Sequence, residues 1–251
     1  MIRPLPPPYA DPARVDALLG DHGHVALSPQ GLAAVLGGGV DADDPLAPLA
    51  HYWGDLPVDA HLRDGGHYRR RRHGSYVVQG GEVRTVPHRA HWQPLDYNAL
   101  HGGLMRWFEP LQDDFAGHAV LHSMLTGLTA RASAMRGTGG PWFVEAHAIR
   151  ITTDGGIGRP TPEGAHRDGV DLVAVVLLDR HGIKGGETRV FEADGPRGER
   201  FTMTERGTTL LIDDERTIHE STPIQPLGDD VHGHRDTLVL TWRRDGFQAP
   251  D

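Results

Sequence analysis

With 251 residues, 38% of them hydrophobic, the chain is long enough to bury a full core in a single domain, 1–251. It has no cysteine, which excludes disulfide frameworks, thiolate zinc sites, iron–sulfur clusters and cysteine nucleophiles; any metal must sit on nitrogen and oxygen. Twenty-five Lys and Arg against 34 Asp and Glu leave a formal charge of −9, which offers no long-range attraction to nucleic acid or an anionic membrane and favours small-molecule chemistry.

The opening stretch, MIRPLPPPYADPARVDALLG, has no apolar run long enough for a signal peptide, and no stretch approaches the roughly 20 apolar residues of a membrane span. A cytoplasmic protein is expected. Residues 1–140 read as a mixed, helical support region. Asp11 can cap a helix through Leu19 before Gly20, and Ser28 a second through Leu36 before Gly37-Gly38-Gly39. His67 to Arg84 reads as a hairpin turned at Gly80-Gly81. Helical patterns follow at about 96–108 and 115–135, the second with Leu121, Met124, Leu125 and Leu128 on one side.

From Trp142 the texture changes to short runs of period-two alternation bounded by Gly, Pro or Asp, which predict strands near 143–152, 171–179, 186–193, 200–204, 208–212, 218–224 and 236–243. No helix-length segment separates them, so the fold class is α+β, mainly β: a sandwich, barrel or jelly-roll core at 141–245 with the N-terminal helices packed on one sheet.

The informative segment is Glu163-Gly164-Ala165-His166-Arg167-Asp168-Gly169. Residues two apart on an extended chain point the same way, so His166 and Asp168 can offer an imidazole and a carboxylate to one ion. His219, opening a later strand, is the candidate third ligand. Two imidazoles and one carboxylate leave open positions for cosubstrate and O₂, the arrangement of non-haem Fe(II) oxygenases. His88/His91 and His232/His234 are rival pairs and read as solvated loop histidines.

Arg235 follows His219 by sixteen residues. Its planar fork can pair bidentately with the distal carboxylate of 2-oxoglutarate, and Thr237 on the same strand face can donate its hydroxyl. The competing reading of Arg235 is an interstrand ion pair. For a zwitterionic substrate, Arg150 is the candidate cation and Glu163 the candidate acid, with structural salt bridges as the alternative for each. The Arg69–Arg72 run could reach the pocket mouth from its hairpin, with a solvated basic face as the favoured reading, and Trp92, Trp107 and Trp142 read as core.

The order His166-x-Asp168, His219, Arg235-x-Thr237 resembles the double-stranded β-helix core of 2-oxoglutarate-dependent dioxygenases. Tyr68-Arg69-Arg70-Arg71-Arg72, Tyr97-Asn98-Ala99-Leu100-His101-Gly102-Gly103, Pro162 to Gly169 and Gly185-Gly186-Glu187-Thr188 are similar to the bacterial 2OG-Fe dioxygenase family that includes L-isoleucine dioxygenase. That resemblance implies a cupin-like double-stranded β-helix with Fe(II), 2-oxoglutarate and O₂ as cofactors, and ascorbate as a reductant. It also implies hydroxylation of a free, aliphatic amino acid or close derivative; the sequence leaves open whether the chain works as a monomer or a homodimer. The alternatives are a cupin-type metalloenzyme that does not use 2-oxoglutarate and a non-enzymatic β-sandwich binding module.

Overall fold

The computed structural model of the chain describes residues 4–38, 40–98, 100–228 and 231–250. The Asp11 carboxylate accepts from the Ala13 amide at 3.0 Å and starts a 3-10 turn, Pro12–Arg14, that passes into α1, Val15–His22. α1 therefore runs on past Gly20, where the sequence predicts its end, and stops at Gly23. A short strand, β1 (His24–Leu27), precedes α2 (Pro29–Leu36), which Ser28 caps through the Gly31 amide at 3.0 Å and Gly37 ends, as expected. A 3-10 segment, Ala47–Asp55, leads to the hairpin of β2 (Arg69–Gln79) and β3 (Glu82–Thr85), turned at Gly80-Gly81.

The helix expected at 96–108 does not form. Here the chain makes tight turns and an isolated bridge in which the His91 and Arg106 backbones exchange hydrogen bonds of 2.9 Å. Gln93, Asn98 and Arg106 are buried and bond to one another, so the segment follows its inward polar contacts rather than a 3.6-residue repeat. The pattern at 115–135 splits at Gly117 into α3 (Asp113–Ala116) and α4 (Ala119–Arg136), with His118 Nδ1 accepting from the Val120 amide at the start of α4.

The remaining strands are β4 (Trp142–Thr152), β5 (Leu172–His181), β6 (Ile183–Gly185), β7 (Thr188–Glu192), β8 (Gly198–Phe201), β9 (Thr209–Asp213), β10 (Thr217–Ser221), β11 (Ile224–Pro226) and β12 (His234–Arg243). All strand pairs are antiparallel. The large sheet has the order β1-β9-β5-β12-β4-β2-β3, and smaller sheets are β10-β7-β8 and β11-β6.

Period-two alternation divides the large sheet into two faces. Leu172, Ala174, Val176 and Leu178 of β5, and Leu238, Leu240 and Trp242 of β12, join Leu121, Met124, Leu125 and Leu128 of α4 in the main core. Val173 and Leu177 of β5 point the other way, onto Val190 of β7 and Phe201 of β8. This is a jelly roll with the helices on one outer face, and β1, β2 and β3 enter its large sheet from the N-terminal part of the chain. No helix among the described residues is long and apolar enough to cross a membrane.

Leu125 is fully buried between α4 and the sheet. Leu125→Ala is expected to lower unfolding free energy by about 2–5 kcal/mol, read as a reduced denaturant midpoint at unchanged slope.

Candidate active site

The inner face of the large sheet carries the polar residues. Register sets Arg69, Arg71, His73 and Ser75 of β2 opposite Ile151, Ile149, His147 and Glu145 of β4, and those opposite Arg235, Thr237, Val239 and Thr241 of β12. Between this face and the small sheet lies a cavity of about 120 Å³. His166, Asp168, His219, Arg235, Thr237 and Glu163 all line it.

His166 and His219 meet through a two-way backbone bridge, N···O 3.1 and 3.0 Å, which sets their rings 4.7 Å apart. His166 Nε2 lies 3.7 Å from Asp168 Oδ1, and His219 Nε2 lies 3.8 Å from Asp168 Oδ2. These gaps are too long for hydrogen bonds, yet metal–ligand bonds of about 2.0–2.2 Å would span them around one ion. His166 Nδ1 bonds the Gly164 carbonyl at 2.9 Å, a contact that makes it the protonated nitrogen and leaves Nε2 as the free donor.

Burial opposes charge on His166, but the Asp168 carboxylate beside it pushes the imidazole up to about 10, and the same pairing holds Asp168 well below the carboxylate range. His219, buried and next to His166, is pushed down to about 4. A divalent cation bound here would displace the second proton from His166. Two imidazoles and a carboxylate, with no thiolate, suit iron.

Two contacts hold Asp168 in place. The buried Asp214 carboxylate accepts from the amides of Asp168, Gly169 and Val170 at 2.9, 2.7 and 3.1 Å. Gln93 Nε2 donates to Asp168 Oδ1 at 3.0 Å, and its own orientation is set by Arg106 and Asn98, which donate to Gln93 Oε1 at 2.8 and 3.1 Å. Gly169 sits at φ 76°, and a Cβ there would lie 2.5 Å from the Tyr97 ring; a side chain would push the ligand loop away.

Arg235 is buried and takes part in no ion pair among the described residues. The interstrand pairing fails because Arg235 stands opposite Ile151 of β4 and Arg180 of β5, neither acidic, and its chain neighbour Asp236 points to the other face, where Arg150 holds it bidentately at 2.7 and 2.7 Å. One Arg235 nitrogen lies 3.9 Å from Met203 Sδ, and Nε has no partner. Burial, with Arg180 nearby, pushes the guanidinium down to about 10, still charged at neutral pH. A buried cation with unused donors is costly unless an anion completes it. Gly186, at φ 66°, lets the β6–β7 turn approach: a Cβ there would lie 3.7 Å from Arg235 Cδ and 2.9 Å from the Arg180 guanidinium.

Comparison with known proteins decides what this arrangement is. The sequence profile described as 2OG-Fe dioxygenase matches residues 50–241. The chain belongs to the 2OG-Fe dioxygenase family. Its cofactors are therefore Fe(II), 2-oxoglutarate and O₂, and the His, Asp and His cluster offers iron-binding groups. A solved bsmA homolog from Methylobium petroleophilum PM1 is 48% identical over 97% of each chain, with a TM-score of 0.89. IDO from Bacillus thuringiensis (14% identity, 93% of this chain and 99% of its own, TM-score 0.72) shares the fold. So does the Fe(II)/α-ketoglutarate-dependent dioxygenase TqaL (19%, 93% and 87%, 0.65). No curated protein sequence matches the chain.

Of the substrate candidates in this dioxygenase, Glu163 reaches the cavity and Arg150 does not. Arg150 shares strand parity with Ala146 and Ala148, which face the helices, and its charge is spent on Asp236. The Arg69–Arg72 run is likewise split: Arg69 and Arg71 are buried at the cavity, whereas Arg72 faces outward to Asp55. His91 is buried rather than a solvated loop residue, and Trp107 is 56% exposed rather than core; Trp142 is core as expected.

The sequence reading missed Gln93, Arg106, Asp214, Glu145 and His147. A Glu and a His two apart, alternating with Val144, Ala146 and Ala148, were a usable signal for the last pair; the loop residues had none. Burial opposes ionisation of Glu145, but donors from His73 (3.1 Å), Arg89 (2.8 Å) and His91 (3.1 Å) hold its carboxyl well below the usual range.

Asp214→Ala would leave three amides of the ligand loop without their acceptor. Fe(II) affinity is expected to fall about 10- to 100-fold, measured by anaerobic metal titration, with the circular-dichroism spectrum unchanged.

Proposed function

We propose that this dioxygenase hydroxylates a free amino acid, aliphatic or closely related, with His166, Asp168 and His219 as the iron ligands and Arg235, aided by Thr237, at the distal carboxylate of 2-oxoglutarate. The observation that carries the reading is Arg235: a buried guanidinium in the same cavity as the three ligand candidates, lacking a protein anion among the described residues. A cupin-type enzyme without 2-oxoglutarate, or a binding module, has no use for that charge, and the family assignment speaks against both.

Bound iron supplies activation of O₂ coupled to oxidative decarboxylation of 2-oxoglutarate to succinate and CO₂, and with it the oxidising power to hydroxylate a C–H bond. The chain supplies geometry. Asp168, oriented by Gln93 and Asp214, would be a ligand to the iron in the place a halide would otherwise need, which favours hydroxylation over halogenation. Arg235 and Thr237, two residues apart on β12, fix the far end of the cosubstrate. Val175 and Val239 make one wall apolar and exclude water from the reacting centre.

Glu163 is our candidate for the substrate ammonium. Its Oε2 is buried with no partner, and its Oε1 lies 3.6 Å from His166 Nε2. The choice of an amino acid rests on the motif likeness to the family that includes L-isoleucine dioxygenase and on this carboxylate beside the ligand candidates. We read the whole chain as one domain, because the large sheet draws strands from both sides of residue 140.

Anaerobic titration of the Fe(II)-loaded protein with 2-oxoglutarate is expected to produce the weak visible charge-transfer band of a bidentate chelate. Arg235→Ala should weaken 2-oxoglutarate binding by about 2–5 kcal/mol, roughly 30-fold or more. Iron binding without the band would remove the cosubstrate assignment. Asp168→Ala is expected to abolish substrate-dependent succinate release, and full turnover in that variant would refute the ligand set.

A further inference from the structure

On the same inner sheet face as Arg235, two strands away, stands a second buried guanidinium without a counter-ion. Arg71 on β2 is 8% exposed and lines the same cavity, and it takes part in no ion pair among the described residues. The two carboxylates nearest in charge are already engaged: Asp59 accepts from Arg69 at 2.6 Å, and Glu145 from Arg89 at 2.8 Å. Arg71 stacks over the Phe108 ring at 4.1 Å, donates to His147 Nδ1 at 2.9 Å, and leaves its Nε buried and unpartnered.

The Arg71 bond also settles the His147 tautomer. A guanidinium can only donate, so Nδ1 accepts and the proton resides on Nε2, a second donor that has no protein acceptor among the described residues. Burial beside Arg71 keeps the ring from taking a second proton. A fork and an N–H on neighbouring strands match a carboxylate, the nearby Glu145 carboxylate being held already by His73, Arg89 and His91.

We propose that Arg71 and His147 form the seat of the substrate's carboxylate, so that the enzyme selects small molecules bearing a free carboxylate and rejects their amides. This rests on the 2-oxoglutarate reading above only in assigning the Arg235 end of the cavity to the cosubstrate.

The test uses the anaerobic protein loaded with Fe(II) and saturating 2-oxoglutarate, titrated at constant ionic strength with acetate and, separately, acetamide. Thermal midpoint is the readout, and the charge-transfer band is recorded in each sample. Acetate should raise the midpoint saturably and acetamide should not, and Arg71→Gln should weaken the acetate response at least about tenfold. Arg71→Lys, which keeps the charge but loses the fork, substitutes if the glutamine variant does not fold and should also weaken it. Equal responses to acetate in wild type and variant, equal responses to acetate and acetamide, or none in wild type would each overturn the proposal. Absence of the band marks a failure of the cosubstrate reading instead, and the comparison of wild type with variant then still decides the role of Arg71.

Discussion

Two-residue alternation along β2, β4, β5 and β12, locked by long antiparallel ladders, is the constraint on which the rest depends. β4 pairs with β12 over ten residues on one side and with β2 over ten on the other. A slip of one residue would turn Ala146, Ala148 and Leu240 into the cavity and Glu145, His147 and Arg235 into the helical core. The same register that buries apolar side chains against α4 thus builds the polar wall of the site. Fold and site are one arrangement seen from two faces.

That arrangement places charge where it is expensive. Asp168, Glu145, Arg71, Arg106 and Arg235 are all buried or nearly so. Some of the cost is met inside the chain: Glu145 by two imidazoles and Arg89, Asp168 by Gln93. The rest is left for what binds. In the proposed site iron would answer Asp168 and the two imidazoles, and a carboxylate would answer a guanidinium with unused donors. The protein's electrostatics are therefore complete only with its ligands in place, which is how a preorganised site binds small anions from water.

Much of this was legible in the chain. His166, Asp168 and His219 stood out because ligand chemistry restricts residue type and because His-x-Asp on an extended segment needs only local geometry. Their convergence through a backbone bridge agrees with that reading. Ser28 before α2 and the alternating runs after Trp142 were equally local signals, and they held. Arg150 shows the limit of reading charge without parity: counted from Glu145 and His147, it falls on the wrong face of its own strand.

What the sequence by itself determined is the set of local preferences: where strands alternate, where helices start, and which residue types can hold a metal or a carboxylate. Tertiary structure alone decided which charges lack partners. Whether Arg235 meets Asp236 or an empty cavity, whether Arg71 lies in solvent or beneath Phe108, and whether Gln93 reaches Asp168 all turn on contacts between residues far apart in the chain. Electrostatic energy depends on distance and burial, and neither is written in any one segment.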